Sequence, residues 1–199
     1  MPDNLILASG SSIRQQLLRQ AGVPFDVVVA RVDEDSIRQS LIATDAKPRD
    51  IADQLAEAKA RKVAQKHPDR LVLGCDQILS LHNKILTKPE SADNVRQQLQ
   101  ELRAQKHQLF SAAVIYDQGQ PVWRHVGQVN MTMRDASDSY LDAYVDRNWH
   151  SIQHSVGGYK LEEEGARLFH KIDGDYFHVL GISLLEILAF LTLRGVIDG

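Results

Sequence analysis

The 199-residue chain is 43% hydrophobic and 25% charged, the balance expected of a soluble globular protein large enough for one substantial domain or two small lobes. A formal net charge of −3 supplies no global field to draw in DNA or RNA, so any polyanion site must be local. The single cysteine, Cys75, excludes an internal disulfide and a CxxC zinc site, and suits a reducing cytoplasm.

The chain starts MPDNLILAS, without a basic n-region or a long apolar h-region, so no signal peptide is read. Leu5 to Ala8 forms a short buried strand on this reading, and Ile13, Leu17, Leu18 and Ala21 then recur at helical spacing up to Gly22, the expected C-terminal cap. PFDVVVARV is a second strand that ends in the acidic Asp33-Glu34-Asp35, and a polar stretch follows. A helix is expected over 50–65, broken by His67-Pro68-Asp69. LVLGCDQILSL is a third strand with a hairpin turn in LHNKIL, and an amphipathic helix over 91–105 runs through Val95, Leu99 and Leu102. LFSAAVIYD and PVWRHVGQVNMTMR form strands on either side of Gln118-Gly119-Gln120. Ser137 caps a helix carrying Tyr140, Leu141, Tyr144 and Val145. Gly157-Gly158 opens a loop, and strand-like ARLFHKI and YFHVLG flank a turn at Asp173-Gly174-Asp175. The last helix spans 183–194 and stops at Gly195; its run ISLLEILAFLTL contains Glu186 and is too short to span a bilayer. Strands alternate with helices but hairpins intrude, which predicts an α/β fold on a mixed sheet, with two lobes around a cleft rather than two autonomous domains.

Three features carry chemistry. The first is LASGSSIR, a strand, a small-residue loop and a helix N-terminus in succession. Such a turn presents free N–H groups and the positive end of a helix dipole, which is an anion site in principle. The hydroxyls of Ser9, Ser11 and Ser12 add donors, and Arg14 can fork onto a phosphate. The bland alternative is a capped helix with a surface arginine. GxxxxGK[ST] does not occur, so this is not a Walker A loop.

The second feature is Asp76, a carboxylate inside the apolar strand VLGCDQIL. A buried charge there needs a partner or a metal. Alternation puts Asp76 on one face with Gly74 and Ile78, and Cys75 on the other with Gln77. The competing reading is a structural Asp bonded to loop amides. Cys75 has no base near it in sequence and reads as a small core residue.

The third is a set of nearby charges. Lys59 lies on the apolar-leaning side of its helix, Lys88 is held extended by Pro89, and Glu34 closes a strand. Each alone reads as a solvated surface residue. Together with Arg14 and Asp76 they supply a metal-binding acid pair and the cations that phosphoryl chemistry asks for. The histidines show no HExxH and no i, i+4 pair, and Trp123 and Trp149 read as core. Glu162-Glu163-Glu164 reads as a solvated loop that, beside Lys160, could meet a ligand edge.

The succession LILASGSSIRQQLL, VDED, LAEAKA, LGCDQIL, TKP and GGYKLEEEGARLFHKIDGDYFHVLG resembles the Maf family of nucleoside triphosphate pyrophosphatases over nearly the whole chain. The resemblance implies one Maf-like domain over 1–199, an elongated mixed sheet flanked by helices with two lobes around a central cleft. It implies hydrolysis of modified or non-standard nucleoside triphosphates to the monophosphate and pyrophosphate with a divalent cation, Mg2+ or Mn2+, and an association with septum formation and division arrest. Ser9, Ser11 and Arg14 match the family's phosphate-binding loop, Glu34 its acid after the second strand, Lys59 its helix lysine and Lys88 its Lys-Pro lysine. Asp76 matches the aspartate taken as general base or metal ligand, so Glu34 and Asp76 are the expected metal ligands.

The chain departs from the family pattern at Ser12-Ile13, in place of Pro-Arg, at Glu163, where glycine is common, and at Gly181-Ile182-Ser183-Leu184, in place of Gly-Leu-Pro-Leu. Gln77 and the Tyr-Lys-x-Glu pattern from Tyr159 to Glu162 resemble the branch acting on 7-methyl-GTP. Glu162 can accept from a guanine N1–H and amino group, and Gln77 and Lys160 could support it, so these three are candidate substrate-binding residues. The expectation is a cytoplasmic homodimer with a nucleoside triphosphate substrate and no nucleic-acid or membrane partner. Two alternatives remain: a sugar-phosphate nucleotidyltransferase, and a non-catalytic nucleotide-binding regulator of septum formation. The first lacks its usual Lys-Pro soon after the arginine, and the intact set Glu34, Lys59, Asp76 and Lys88 argues against the second.

Overall fold

A computed structural model describes residues 5–198. The chain runs β1 (Leu5–Leu7), α1 (Ser12–Gln20), β2 (Asp26–Val27), α2 (Glu34–Ala43), α3 (Pro48–Ala64), β3 (Leu71–Leu81), β4 (Lys84–Leu86), α4 (Ala92–Leu102), β5 (Lys106–Asp117), β6 (Gln120–Met133), α5 (Asp138–Ile152), β7 (Phe169–Asp173), α6 (Tyr176–Val179) and α7 (Leu184–Leu193). The sheet has seven strands in the order β2-β1-β3-β5-β6-β7, with β4 hydrogen-bonded to β3. It is mixed: β1 is parallel to β2 and β3, while β4 is antiparallel to β3 and β7 to β6. The fold is α/β, an open mixed sheet flanked by helices. No helix among the described residues is long and apolar enough to cross a membrane.

The chain divides into two compact units. The first comprises Met1–Gln77, Ser111–Gly127 and Gly181–Gly199, the second Ile78–Phe110 and Gln128–Leu180. In the first unit, β1 pairs Leu5, Ile6 and Leu7 with Leu71, Val72 and Leu73 of β3, all buried. Helix α3 begins with Pro48 at its first turn and buries Ile51, Ala52, Leu55, Ala56, Lys59, Ala60, Val63 and Ala64. That stripe passes through Lys59 and leaves Lys62 exposed, although simple spacing groups Lys62 with Ile51 and Leu55. Gly74 makes the close approach possible. A Cβ there would meet the Ala56 carbonyl oxygen at 2.2 Å and the Ala60 nitrogen at 2.6 Å, so only glycine lets α3 lie this near β3.

The second unit has its own core, in which Val95, Leu99 and Leu102 of α4 pack with Val129, Met131 and Met133 of β6 and Leu141, Tyr144 and Val145 of α5. Full burial of each such side chain contributes about 1.5–3 kcal/mol. The β3–β4 turn is made by His82 and Asn83, both at positive φ, as a two-residue hairpin requires.

Three elements differ from the sequence reading. PFDVVVARV yields only the two-residue edge strand β2, because its partner β1 ends at Leu7 where the chain enters the serine loop. The polar stretch after it is helix α2, and Glu34 opens that helix rather than closing a strand. Asp33 caps it, accepting from the backbone N–H of Ser36 at 3.0 Å and from its hydroxyl at 2.8 Å, and these bonds hold the Asp33 carboxyl below its ordinary value. Helix α2 buries no side chain, which is why apolar periodicity is silent there. YFHV is the short helix α6, because Asp175 caps it by accepting from the N–H groups of Phe177 and His178.

Candidate active site

The first unit brings most of the expected residues into one constellation. Helix α3 lies on the β3 face that carries Gly74 and Asp76, and it places the Lys59 ammonium 2.6 Å from Asp76 Oδ1. The same ammonium is 3.1 Å from Glu34 Oε1 at the start of α2. Lys59 and Asp76 are both buried, at 8% and 6% exposure, so the pair sits where a charge costs most unless matched. Burial pushes the Asp76 carboxyl above its ordinary value; Lys59 and Arg14 pull it back, and the Glu34 charge adds to the push. A carboxylate raised in this way is a stronger base at neutral pH than a free one. The reading of Asp76 as a carboxylate bonded to loop amides does not hold, since its partner is Lys59.

Arg14 is not a surface arginine. It is buried in the first turn of α1. Its Nε donates to the Gly181 carbonyl at 2.7 Å, and Nη1 donates to Ser9 Oγ at 3.2 Å and to the Cys75 carbonyl at 3.0 Å. Ser9 Oγ also accepts from the Ser11 N–H at 3.3 Å. Both acceptor positions of that hydroxyl are thereby occupied, and its own O–H remains a donor. Ser11 is the N-cap of α1, accepting from the Arg14 N–H at 3.5 Å, which satisfies one of the N–H groups at that helix start. Gln77, on the opposite face of β3 from Asp76, donates to the Ser111 hydroxyl at 3.1 Å. Cys75 is fully buried and its thiol is pushed up to about 11 by burial, so it is no nucleophile; its carbonyl serves instead as an acceptor for Arg14.

The remaining expected residues belong to the second unit. Lys88 is exposed in the segment between β4 and α4, with Pro89 buried behind it. Buried Gln98 of α4 steadies that segment by donating to the Thr87 carbonyl at 3.0 Å. Lys160 donates to the Ser151 hydroxyl at 2.7 Å and pairs with Glu163 at 3.1 Å. Glu163 also accepts from Ser151 at 2.6 Å, and Glu164 pairs with Arg147 at 2.6 Å, so two acids of the run are tied into the protein while Glu162 is exposed.

Sequence reasoning missed the backbone acceptors of Cys75 and Gly181, the spacing role of Gly74, and Gln98. A glycine inside an apolar strand is a signal of close backbone approach. The two carbonyls left no signal, since an acceptor on the main chain has no residue type.

The carboxylates of Glu34 and Asp76 are hard oxygen donors converging on one cation, the chemistry that suits a divalent ion such as magnesium. Lys59 is paired with Glu34 Oε1 and Asp76 Oδ1, so an ion held by these two carboxylates would share them with that ammonium.

A buried lysine–aspartate pair joined by the half-exposed Glu34, beside an arginine-bearing helix N-terminus, has the charge pattern of the phosphoryl-group enzymes. The Maf-like protein family model matches residues 4–193, and the chain belongs to that family. It is 62% identical over 194 residues to the nucleoside triphosphate pyrophosphatase of Ruegeria pomeroyi, covering 98% of each chain. It is 59% identical to the nucleoside triphosphate pyrophosphatase of another Ruegeria species over the full length of both. It is 43% identical over all 199 residues to the 7-methyl-GTP pyrophosphatase of Brucella abortus.

Proposed function

We infer that this protein is a nucleoside triphosphate pyrophosphatase, converting a nucleoside triphosphate and water to the monophosphate and pyrophosphate. The observation that carries the reading is the buried Asp76–Lys59 pair with Glu34 on the same ammonium. The names of its relatives point the same way. Asp76, with its raised pKa, takes the proton from the attacking water. Lys59 and Arg14 counter the negative charge that builds on the phosphoryl oxygens, and the Ser9 hydroxyl and the N-terminus of α1 orient them. A divalent cation held by Glu34 and Asp76 would neutralise triphosphate charge and lower the cost of bringing it beside two carboxylates.

The substrate is a modified purine triphosphate of the 7-methyl-GTP kind on this reading, supported by Gln77 and the Tyr159–Glu162 pattern. The setting is a cytoplasmic homodimer with no nucleic-acid partner, which rests on the family resemblance and is checked by light scattering and fractionation.

The test is a panel of nucleoside triphosphates with magnesium, with manganese and with chelator, with and without a sugar phosphate, scored for pyrophosphate and orthophosphate separately. Metal-dependent pyrophosphate release without a sugar phosphate is expected. Orthophosphate with a diphosphate left behind would overturn the reaction, a sugar-phosphate requirement would make it a nucleotidyltransferase, and binding without turnover would make it a regulator. A clear preference for dTTP or UTP over 7-methyl-GTP would overturn the substrate branch alone.

A further inference from the structure

Arg14 is held at two of its three side-chain nitrogens. Nε is taken by the Gly181 carbonyl, and Nη1 by Ser9 and the Cys75 carbonyl. Nη2 is the nitrogen without a protein acceptor among the described residues, and its direction is therefore set by the other two. Gly181 contributes to this in two ways. Its φ of +86° lies in the left-handed region, which turns its carbonyl onto Nε at 2.7 Å. It also has no Cβ; one built there would lie 3.2 Å from Nη2, 3.5 Å from Nε and 3.6 Å from Gln77 Cδ. Any other residue would crowd the one edge of the guanidinium that the protein leaves open and loosen the bond that orients it.

We propose that Gly181 is a positioning residue for the pyrophosphatase reaction. Its backbone carbonyl and its missing side chain together fix the Arg14 guanidinium so that Nη2 is presented to a phosphate oxygen. This rests on the reading of Arg14 as a phosphate ligand. A guanidinium fork is worth most when its plane is fixed before the anion arrives, because no reorganisation then accompanies the build-up of charge. Gly181 lies two residues before Ser183, the cap position of α7, so the helix anchors the glycine 167 positions from the arginine it serves.

The experiment compares wild type, Gly181→Ala, Arg14→Ala and the double variant on whichever nucleoside triphosphate of the panel is turned over fastest, with melting temperatures on the same samples. Gly181→Ala is expected to fold and to lose about tenfold or more in kcat/KM. Arg14→Ala is expected to lose at least as much. Gly181→Ala placed on top of it is expected to add less than about twofold, because the group it orients is gone. Millimolar guanidinium chloride, against a sodium chloride control, should restore part of the Arg14→Ala activity and little of the double variant's, since the added methyl enters the vacated slot.

If Arg14→Ala turns over at the wild-type rate, the phosphate-ligand reading fails and the positioning proposal falls with it. If Arg14→Ala is impaired but folded Gly181→Ala is not, or if the two losses multiply and rescue is equal in both backgrounds, the positioning proposal alone is overturned. Should Gly181→Ala not fold, Gly181→Asn carries the same comparison, because asparagine tolerates the left-handed region while still adding a side chain.

Discussion

The two compact units bury polar groups in opposite ways. In the first, the buried polar side chains include Arg14, Lys59 and Asp76, and the pairing that matches them brings in Glu34. In the second, the buried polar side chains among the described residues are Ser80, Gln98, His107 and His178, none of them a fixed charge. His107 is held neutral: burial pulls its pKa down to about 4, its Nε2 shares a 2.8 Å hydrogen bond with the Tyr159 hydroxyl, and its Nδ1 has no partner among the described residues. Burial likewise pushes the Tyr144 and Tyr159 hydroxyls up, which keeps them protonated. The second unit solves burial by neutrality, as a structural core does. The first retains charge where well-packed apolar residues would cost less, and that choice makes sense where the charges act on a substrate.

The strongest way to break this contrast is Asp76→Asn. The substitution keeps size while removing charge and basicity, so turnover should fall about 100-fold or more. The melting temperature should fall while the protein still folds, because the buried Lys59 ammonium loses its 2.6 Å partner and keeps only Glu34 at 3.1 Å. A folded variant with near-wild-type turnover would remove Asp76 from the mechanism and leave the first unit's charges without a purpose.

Gly74→Ala comes next, because its methyl would stand 2.2 Å from the Ala56 carbonyl oxygen. We expect a loss of about 3 kcal/mol, at the upper end of ordinary overpacking, and a melting temperature lower by about 6–12 °C. Turnover should fall too, since Lys59 moves with α3. A variant melting like wild type would mean that the helix does not need this approach.

The neutral core is sharpened by pH. Above about pH 6.5, His107 is unprotonated folded or unfolded, and its contribution is complete. Below that the unfolded chain binds a proton that the folded one refuses, so stability should decline down to pH 4, by about 3 kcal/mol from this residue. His107→Phe should flatten that decline, as read by denaturant unfolding at pH 7, 5.5 and 4.5. Identical slopes in the two proteins would sink the attribution.

The smallest effect is expected at the surface of the second unit, where Arg96 pairs with Asp93, Asp142 and Asp146 at 2.8, 3.4 and 2.5 Å. Exposed pairs contribute little, so Arg96→Met should cost less than about 1 kcal/mol and move the melting temperature by under about 3 °C, a shift that salt narrows. A loss comparable to that of Gly74→Ala would show surface charge to be as structural here as buried charge.

The sequence by itself determined that β3 is a long apolar strand with one misplaced carboxylate, that α3 carries a lysine among apolar neighbours, and that a serine loop opens α1 ahead of an arginine. Periodicity and composition are local properties, and these features are local. It also determined the turns at His82-Asn83 and Gln118-Gly119, whose positive φ values answer to short-range sterics. Helix α2 and the edge strand β2 were misread because the first buries nothing and the second depends on how far its neighbour extends, which periodicity within a segment does not encode. Only the tertiary structure decided that Lys59 meets Asp76 rather than solvent, that Glu34 reaches the same ammonium, and that Arg14 is buried against the carbonyls of Cys75 and Gly181. These contacts join residues 17 to 167 positions apart along the chain. They rest on main-chain oxygens and on the space two glycines leave empty, and neither is written in a residue's chemical type.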